Sequence, residues 1–235
     1  MNIGKDQIFK RIDKDFNKAK SLVFVQFEIL EQMISNGIDA INPERLMQFK
    51  DNEKELDQFE ISIGDEIIQT IVKHQPMASD LRRIISTFRM INNLERIGDQ
   101  LNNIAQFIDN LTNHQIAEHQ KESIANMFSM SQNMVTKALV SFRDGDYDYA
   151  IWTIKNDEIV DQLQQKLLTK NILKQSKQDL GTSEITDILN YANILSSIER
   201  IADHATNIAE ASIYYLKGID LRHVDLDQQL NPQMD

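Results

Sequence analysis

Apolar residues recur every three to four positions along most of the chain, the period of an amphipathic helix rather than the alternation of a strand. Only seven glycines and three prolines interrupt that pattern, and they divide it into six long helices. The first predicted helix runs from Lys5 to Asn36 and stops at Gly37. Asn42-Pro43 starts the second, with Asn as N-cap and Pro in the first helical position, and the helix runs to about Gln75, ahead of Pro76. The third spans about Ser79 to Leu111, and the fourth ends near Asp144-Gly145. Asp146 caps the fifth, which runs to about Gln178. The sixth is capped by Thr182 or Ser183, carries Glu184 in its first turn and ends at Gly218.

This punctuation repeats at a fixed offset of 104 residues, with Asn42 matching Asp146 and Ala78 matching Thr182. The expected fold is therefore all-α: two tandem pseudo-symmetric three-helix bundles, residues 1–113 and 114–218, with a polar C-terminal tail over 219–235.

The polar positions carry a second message. On the third helix, Leu81, Ile84, Phe88 and Ile91 share one arc, which passes to Glu95, Asp99, Asn102 and Gln106 further along. Leu94, Ile97, Leu101, Ile104 and Ile108 keep a separate apolar arc for the core. The sixth helix does the same, with Ile185, Ile188 and Ala192 followed by Glu199 and Asp203. Four acidic i, i+4 pairs obey the 104-residue offset: Glu53/Asp57 with Asp157/Asp161, and Glu95/Asp99 with Glu199/Asp203. Three other such pairs, Asp51/Glu55, Glu118/Glu122 and Asp144/Asp148, have no mate at that offset and read as solvated faces.

Residues i and i+4 lie about 40° apart on a helix, so each pair points one way. Facing helices that each carry a pair would gather four carboxylates, whose repulsion and desolvation demand a counter-ion. Carboxylate oxygens are hard ligands suited to magnesium, calcium, manganese or oxidised iron. Asn103 and Asn207 add a third rung that could ligate or orient the acids.

Composition removes several alternatives. A formal net charge of −11 disfavours nucleic acid and anionic membrane as partners. The absence of cysteine removes disulfides and thiolate metal sites. No apolar leader or membrane-length run is present, so a cytoplasmic protein without direct membrane insertion is expected. Glu95 and Glu199 are followed three residues on by Gly98 and Ala202, not by the His of di-iron bundle enzymes. There is no Gly-rich phosphate loop and no Ser/His/Asp set, so no catalytic residue is assigned. Trp152, Phe24, Phe27, Phe59 and Phe88 read as core, Arg82, Arg83, Arg89 and Arg96 as a solvated basic face, and His204 as a surface or interface residue.

Three segments carry a family resemblance: Glu95-Arg96-Ile97-Gly98-Asp99 with Asn103-Ile104-Ala105, Glu199-Arg200-Ile201-Ala202-Asp203-His204-Ala205 with Asn207-Ile208-Ala209-Glu210, and Gln75-Pro76 with Asp80-Leu81-Arg82. They resemble the PhoU family of phosphate-signalling proteins, over about residues 5–216. The resemblance implies a cytoplasmic, non-enzymatic, metal-binding negative regulator of phosphate uptake. It would link the phosphate ABC transporter ATPase to a sensor histidine kinase, and a homodimer is expected. Iron, zinc, magnesium or manganese would be held by Glu53, Asp57, Glu95 and Asp99 in one site and by Asp157, Asp161, Glu199 and Asp203 in the other. The segments around Glu53/Asp57 and Asp157/Asp161 are otherwise dissimilar, so the two sites would differ in affinity or nuclearity. A carboxylate-metal phosphoesterase and a metal-free helical adaptor stand as alternatives.

Overall fold

The computed structural model describes residues 3–175 and 181–221. Six helices follow one another: α1 (Ile3–Asn36), α2 (Pro43–His74), α3 (Ala78–Asp109), α4 (Glu118–Asp144), α5 (Tyr147–Gln175) and α6 (Thr182–Lys217). Short 3₁₀ turns, Ile38–Ala40 and Thr112–His114, lie in the α1–α2 and α3–α4 links. The described residues contain no strand, and none of their helices is long and apolar enough to cross a membrane. Most of the expected tail, His223 and the expected end of the fifth helix lie outside the described residues.

Local chemistry sets most of the helix ends. Asn42 Oδ1 accepts from the Glu44 backbone N–H at 2.8 Å, with Pro43 in the first turn where its missing N–H costs nothing. Asp146 Oδ1 accepts from the Tyr149 N–H at 3.1 Å and caps α5. Gly145 and Gly218 close α4 and α6 at φ 74° and 72°, a left-handed conformation open to glycine without a Cβ clash. The start of α6 differs from expectation. Gly181 occupies the N-cap position without a side-chain cap, while the Ser183 hydroxyl meets that of Thr112 at 3.0 Å.

The chain adopts the expected pair of three-helix bundles: α1, α2 and α3 pack together, as do α4, α5 and α6. The most extensive packing in the molecule, however, joins the two bundles, where α3 lies on α6. Their stripes, including Ile91, Leu94, Ile97 and Leu101 on α3 and Ile194, Ile198, Ile201 and Ile208 on α6, are wholly buried. A second junction joins α1 to α4, with the Phe27 and Phe128 rings tilted against each other at 5.4 Å between centroids. Phe27 is core as expected; Phe24, Phe59, Phe88 and Trp152 are partly buried against it. The arginines of α3 are not a free solvated row. Arg83 binds Asp13 at 2.7 Å, and Arg89 lies 3.7 Å from Asp220 and over the Tyr214 ring.

Gly98 sets the separation of α2 and α3. A Cβ there would stand 2.5 Å from Cδ2 of the buried Leu56. The repeat equivalents are Ala202 and Val160, also buried, so one methylene has moved from one helix to the other. Gly98→Ala alone is expected to overpack this seam and cost about 1–2 kcal/mol, after offsetting the better helix propensity of alanine. Adding Leu56→Val reproduces the second-half pair and should restore stability in urea unfolding. A double variant no more stable than Gly98→Ala would contradict this packing account.

Candidate functional site

The α2–α3 and α5–α6 seams bring the repeated acids together. Carboxylate oxygens of Asp57, Glu95 and Asp99 lie within 4.8 Å of one another. Asp157, Asp161 and Asp203 form the same arrangement in the second half. Metal–oxygen bonds of about 2.0–2.6 Å place two ligands of one ion at most about 4–5 Å apart, so both triads have the spread a single cation requires.

The remaining two predicted ligands stand beside these triads. Glu53 accepts from Asn102 Nδ2 at 2.7 Å and is repelled by Asp99 and Asp57. Glu199 is repelled by Asp203, Asp161 and Asp157. The residue that orients Glu53 is thus Asn102, not Asn103, and Asn207 lines a different cleft, between α3 and α6. The repeat mate of Asn102 is Thr206, whose hydroxyl lies near enough to Asp157 to favour its ionised form but closes no hydrogen bond in this structure.

The electrostatics show unbalanced negative charge. Burial, then repulsion from Asp99, Glu60 and Asp57, pushes the Glu95 carboxyl up to about 7. Burial, then Asp203 and Asp161, does the same to Glu199, also to about 7. Asp157 rises to about 6 through burial and then Asp203 and Asp161. Burial raises Glu53, Asp99 and Asp203 as well, each with help from neighbouring acids. One oxygen of Asp157 and one of Asp161 are fully buried without a hydrogen-bond partner. A buried carboxylate oxygen left without a donor is costly, and a cation is the partner that would satisfy both at once. The donor set therefore fits a hard multivalent ion.

Two further acids join these clusters without repeat mates. Glu60 faces Glu95 from α2, where the second half has Gln164; Glu210 faces Asp157, where the first half has Gln106. Glu60 lies three residues after Asp57, a same-face spacing that could have revealed it. Each half thus carries its own extra carboxylate. His204 turns away from Asp203 into the α3–α6 interface and meets Asn93 at 3.1 Å. Burial, then Arg96 and Arg200, pushes it down to about 4 and keeps it neutral.

Comparison with known proteins agrees with the repeated helical fold. The PhoU domain matches residues 26–108 and again 124–212, so each copy contains both acidic pairs of its half. A phosphate-specific transport system accessory protein PhoU homolog from Pseudomonas aeruginosa is 30% identical over 231 residues, covering 95% of this chain and 94% of that protein. The phosphate-specific transport system accessory protein PhoU of Escherichia coli is 27% identical, covering 97% and 94%. Among solved structures, PhoU from Pseudomonas aeruginosa superposes with a TM-score of 0.79 at 28% identity, covering 91% of this chain and 99% of that one. The phosphate transport system regulatory protein PhoU from Streptococcus pneumoniae superposes with a TM-score of 0.71 at 25% identity, covering 92% and 100%. With the domain matched in both halves and the relatives aligned nearly end to end, this chain belongs to the PhoU family.

Proposed function

We propose that this chain is an accessory regulator of a phosphate transport system, and that each half binds a multivalent cation through its carboxylate cluster. The observation that carries the reading is the pair of triads, Asp57/Glu95/Asp99 and Asp157/Asp161/Asp203, at repeat-related seams of a PhoU chain. Glu53 and Glu199 complete the two ligand sets. Bound cations would neutralise acids whose proton affinity is raised by burial and then by mutual repulsion, and would tie α2 to α3 and α5 to α6. Iron, zinc, magnesium and manganese all suit such donors to differing degrees.

In this reading the protein is cytoplasmic, dimeric and not an enzyme. It represses phosphate uptake and phosphate-starvation signalling by joining the ATPase of the phosphate ABC transporter to a sensor histidine kinase. The names of the relatives, accessory and regulatory proteins of phosphate transport, support the transporter link. Deleting the gene should switch on phosphate-scavenging genes in phosphate-rich medium, and the wild-type copy should restore repression. A copy carrying Glu95→Gln, Asp99→Asn, Glu199→Gln and Asp203→Asn should fail to restore it. Repression that persists in the deletion strain would overturn the regulatory role; full rescue by the quadruple variant would overturn the role of the sites.

A further inference from the structure

The two bundles differ toward the ends where α1 and α4 begin. In the first, Arg11 of α1 pairs with Glu66 of α2, and Ile12, Ile63 and Ile67 beside them are buried. The 104-residue offset matches Ile63, Glu66 and Ile67 to Leu167, Lys170 and Asn171 of α5. α1 and α4 end against Gly37 and Gly145, an offset of 108 because the α1–α2 link is the longer, so Arg11 and Ile12 match His119 and Gln120 of α4. The second bundle thus has a lysine in place of the glutamate, and two amides in place of two isoleucines.

At these positions a cavity of about 270 Å³ opens between α4, α5 and α6, and its lining includes His119, Gln120, Leu167, Lys170, Asn171 and Tyr191. Gln120 Nε2 donates to Asn171 Oδ1 at 3.2 Å, which leaves Gln120 Oε1 as an acceptor on the lining. Tyr191 is only 4% exposed, and its hydroxyl makes no hydrogen bond among the described residues. Its repeat mate Thr87, by contrast, donates to the Arg83 carbonyl at 3.0 Å. A buried hydroxyl without a partner is costly, and the cavity is the space from which a partner can reach it. Lys170 has no ion-pair partner among the described residues. Glu118, next to His119, is taken by Lys121 at 2.9 Å, and Lys166, one turn from Lys170, adds positive charge on α5.

We infer that this cavity binds a small organic carboxylate that also carries a hydroxyl group, with the carboxylate seated on Lys170 where the first bundle places that of Glu66. The lysine ammonium is a compact charge that needs one anionic group and no bidentate geometry. Tyr191 and Gln120 Oε1 offer a donor and an acceptor to the hydroxyl, and Leu167 gives an apolar wall for the carbon skeleton. The volume limits the guest to about ten non-hydrogen atoms. The site shares no residue with the carboxylate triads and needs no metal.

Titration of the full chain, stripped of metal with a chelator and then freed of the chelator, tests this through backbone amide NMR shifts. The probes are lactate, 3-hydroxybutyrate and 4-hydroxybenzoate. At least one should bind saturably with a Kd near or below about 1 mM, and its shifts should centre on residues 119–123, 167–171 and 191. The neutral alcohol of the same skeleton, such as 4-hydroxybenzyl alcohol, should bind at least about tenfold more weakly. Lys170→Glu should weaken binding at least about tenfold. Lys170→Glu with His119→Arg rebuilds the ion pair of the first bundle, so it should fold and still not bind, and it serves if the single variant is unstable. Tyr191→Phe should weaken binding about threefold to tenfold. Arg143→Gln, on the exposed end of α4, should change nothing. No saturable binding of any probe, shifts centred elsewhere, equal binding of the neutral alcohol, or unweakened binding in the folded Lys170 or Tyr191 variants would each overturn the inference.

Discussion

Glu95→Gln with Asp99→Asn is expected to empty the first carboxylate site and leave the second loaded. Two of the three acids in that triad would lose their charge while keeping their shape. Even outer-shell partners of a metal typically contribute 10–100-fold in affinity, so removing two direct ligands should lower it by at least about 100-fold. Glu199→Gln with Asp203→Asn removes one acid of the second triad and the glutamate beside it, and should likewise weaken that site; the quadruple variant should purify without bound metal. The stability effect should change sign with metal. In the metal-free protein the amides relieve repulsion among acids that already hold their protons too tightly, so the variants should unfold at equal or higher denaturant. In the metal-loaded protein they should unfold earlier, because the cation binds the folded wild type alone.

The pH dependence follows from the same groups. Glu95 and Glu199 titrate near 7 in the folded chain, above the ordinary glutamate range near 4.3 of an unfolded one. Between those values the folded state holds more protons than the unfolded state. The stability contributed by these groups is therefore greatest on the acid side and declines as pH rises toward 7. Metal affinity should move oppositely, rising with pH over that window as the cation ceases to compete with protons. Titrations of the metal-free and metal-loaded protein between about pH 5 and 8 measure both slopes.

Phe27→Ala should produce the largest loss of stability of any single substitution considered. Phe27 is wholly buried on α1 and faces Phe128 of α4 at 5.4 Å and Phe24 at 6.1 Å. Truncation removes a ring from the junction of the two bundles and leaves a cavity, at a cost of about 3–5 kcal/mol. For a chain of this size that corresponds to a fall in Tm of roughly 10 °C. Phe128→Ala should cost a similar amount, and the double variant less than the sum, because the two rings share the contact that each single change destroys. Additive losses would mean that the rings stabilise their own bundles and not the junction.

The helical fold was legible because its signals are local. The caps at Asn42 and Asp146, the αL glycines at 145 and 218, and the 3–4 spacing each act within a turn or two. The α6 start was misread because Ser183 uses its hydroxyl on Thr112, a contact between residues 71 apart. The pairing of α3 with α6 was hidden for the same reason, since an apolar stripe states that a helix is buried and not against which partner. Six of the eight acids meet in two triads, and the 104-residue offset distinguishes them from the other acidic pairs. Glu60 and Glu210 have no acidic mate at that offset, so the repeat could not point to them. Asn102 shares the acidic arc of α3 and reaches Glu53, whereas the repeated Asn-Ile-Ala points to Asn103, about 100° of helix away.

The central claim is that two cation sites sit at repeat-related seams, one in each half. Anomalous diffraction from crystals of the metal-loaded full chain, recorded at the absorption edge of an iron or manganese load, tests it most directly. The account predicts a peak within about 2.0–2.6 Å of carboxylate oxygens of Asp57, Glu95 and Asp99, and another at the same distance from Asp157, Asp161 and Asp203. Loaded crystals with no peak at either triad, or with peaks only elsewhere on the chain, would contradict it.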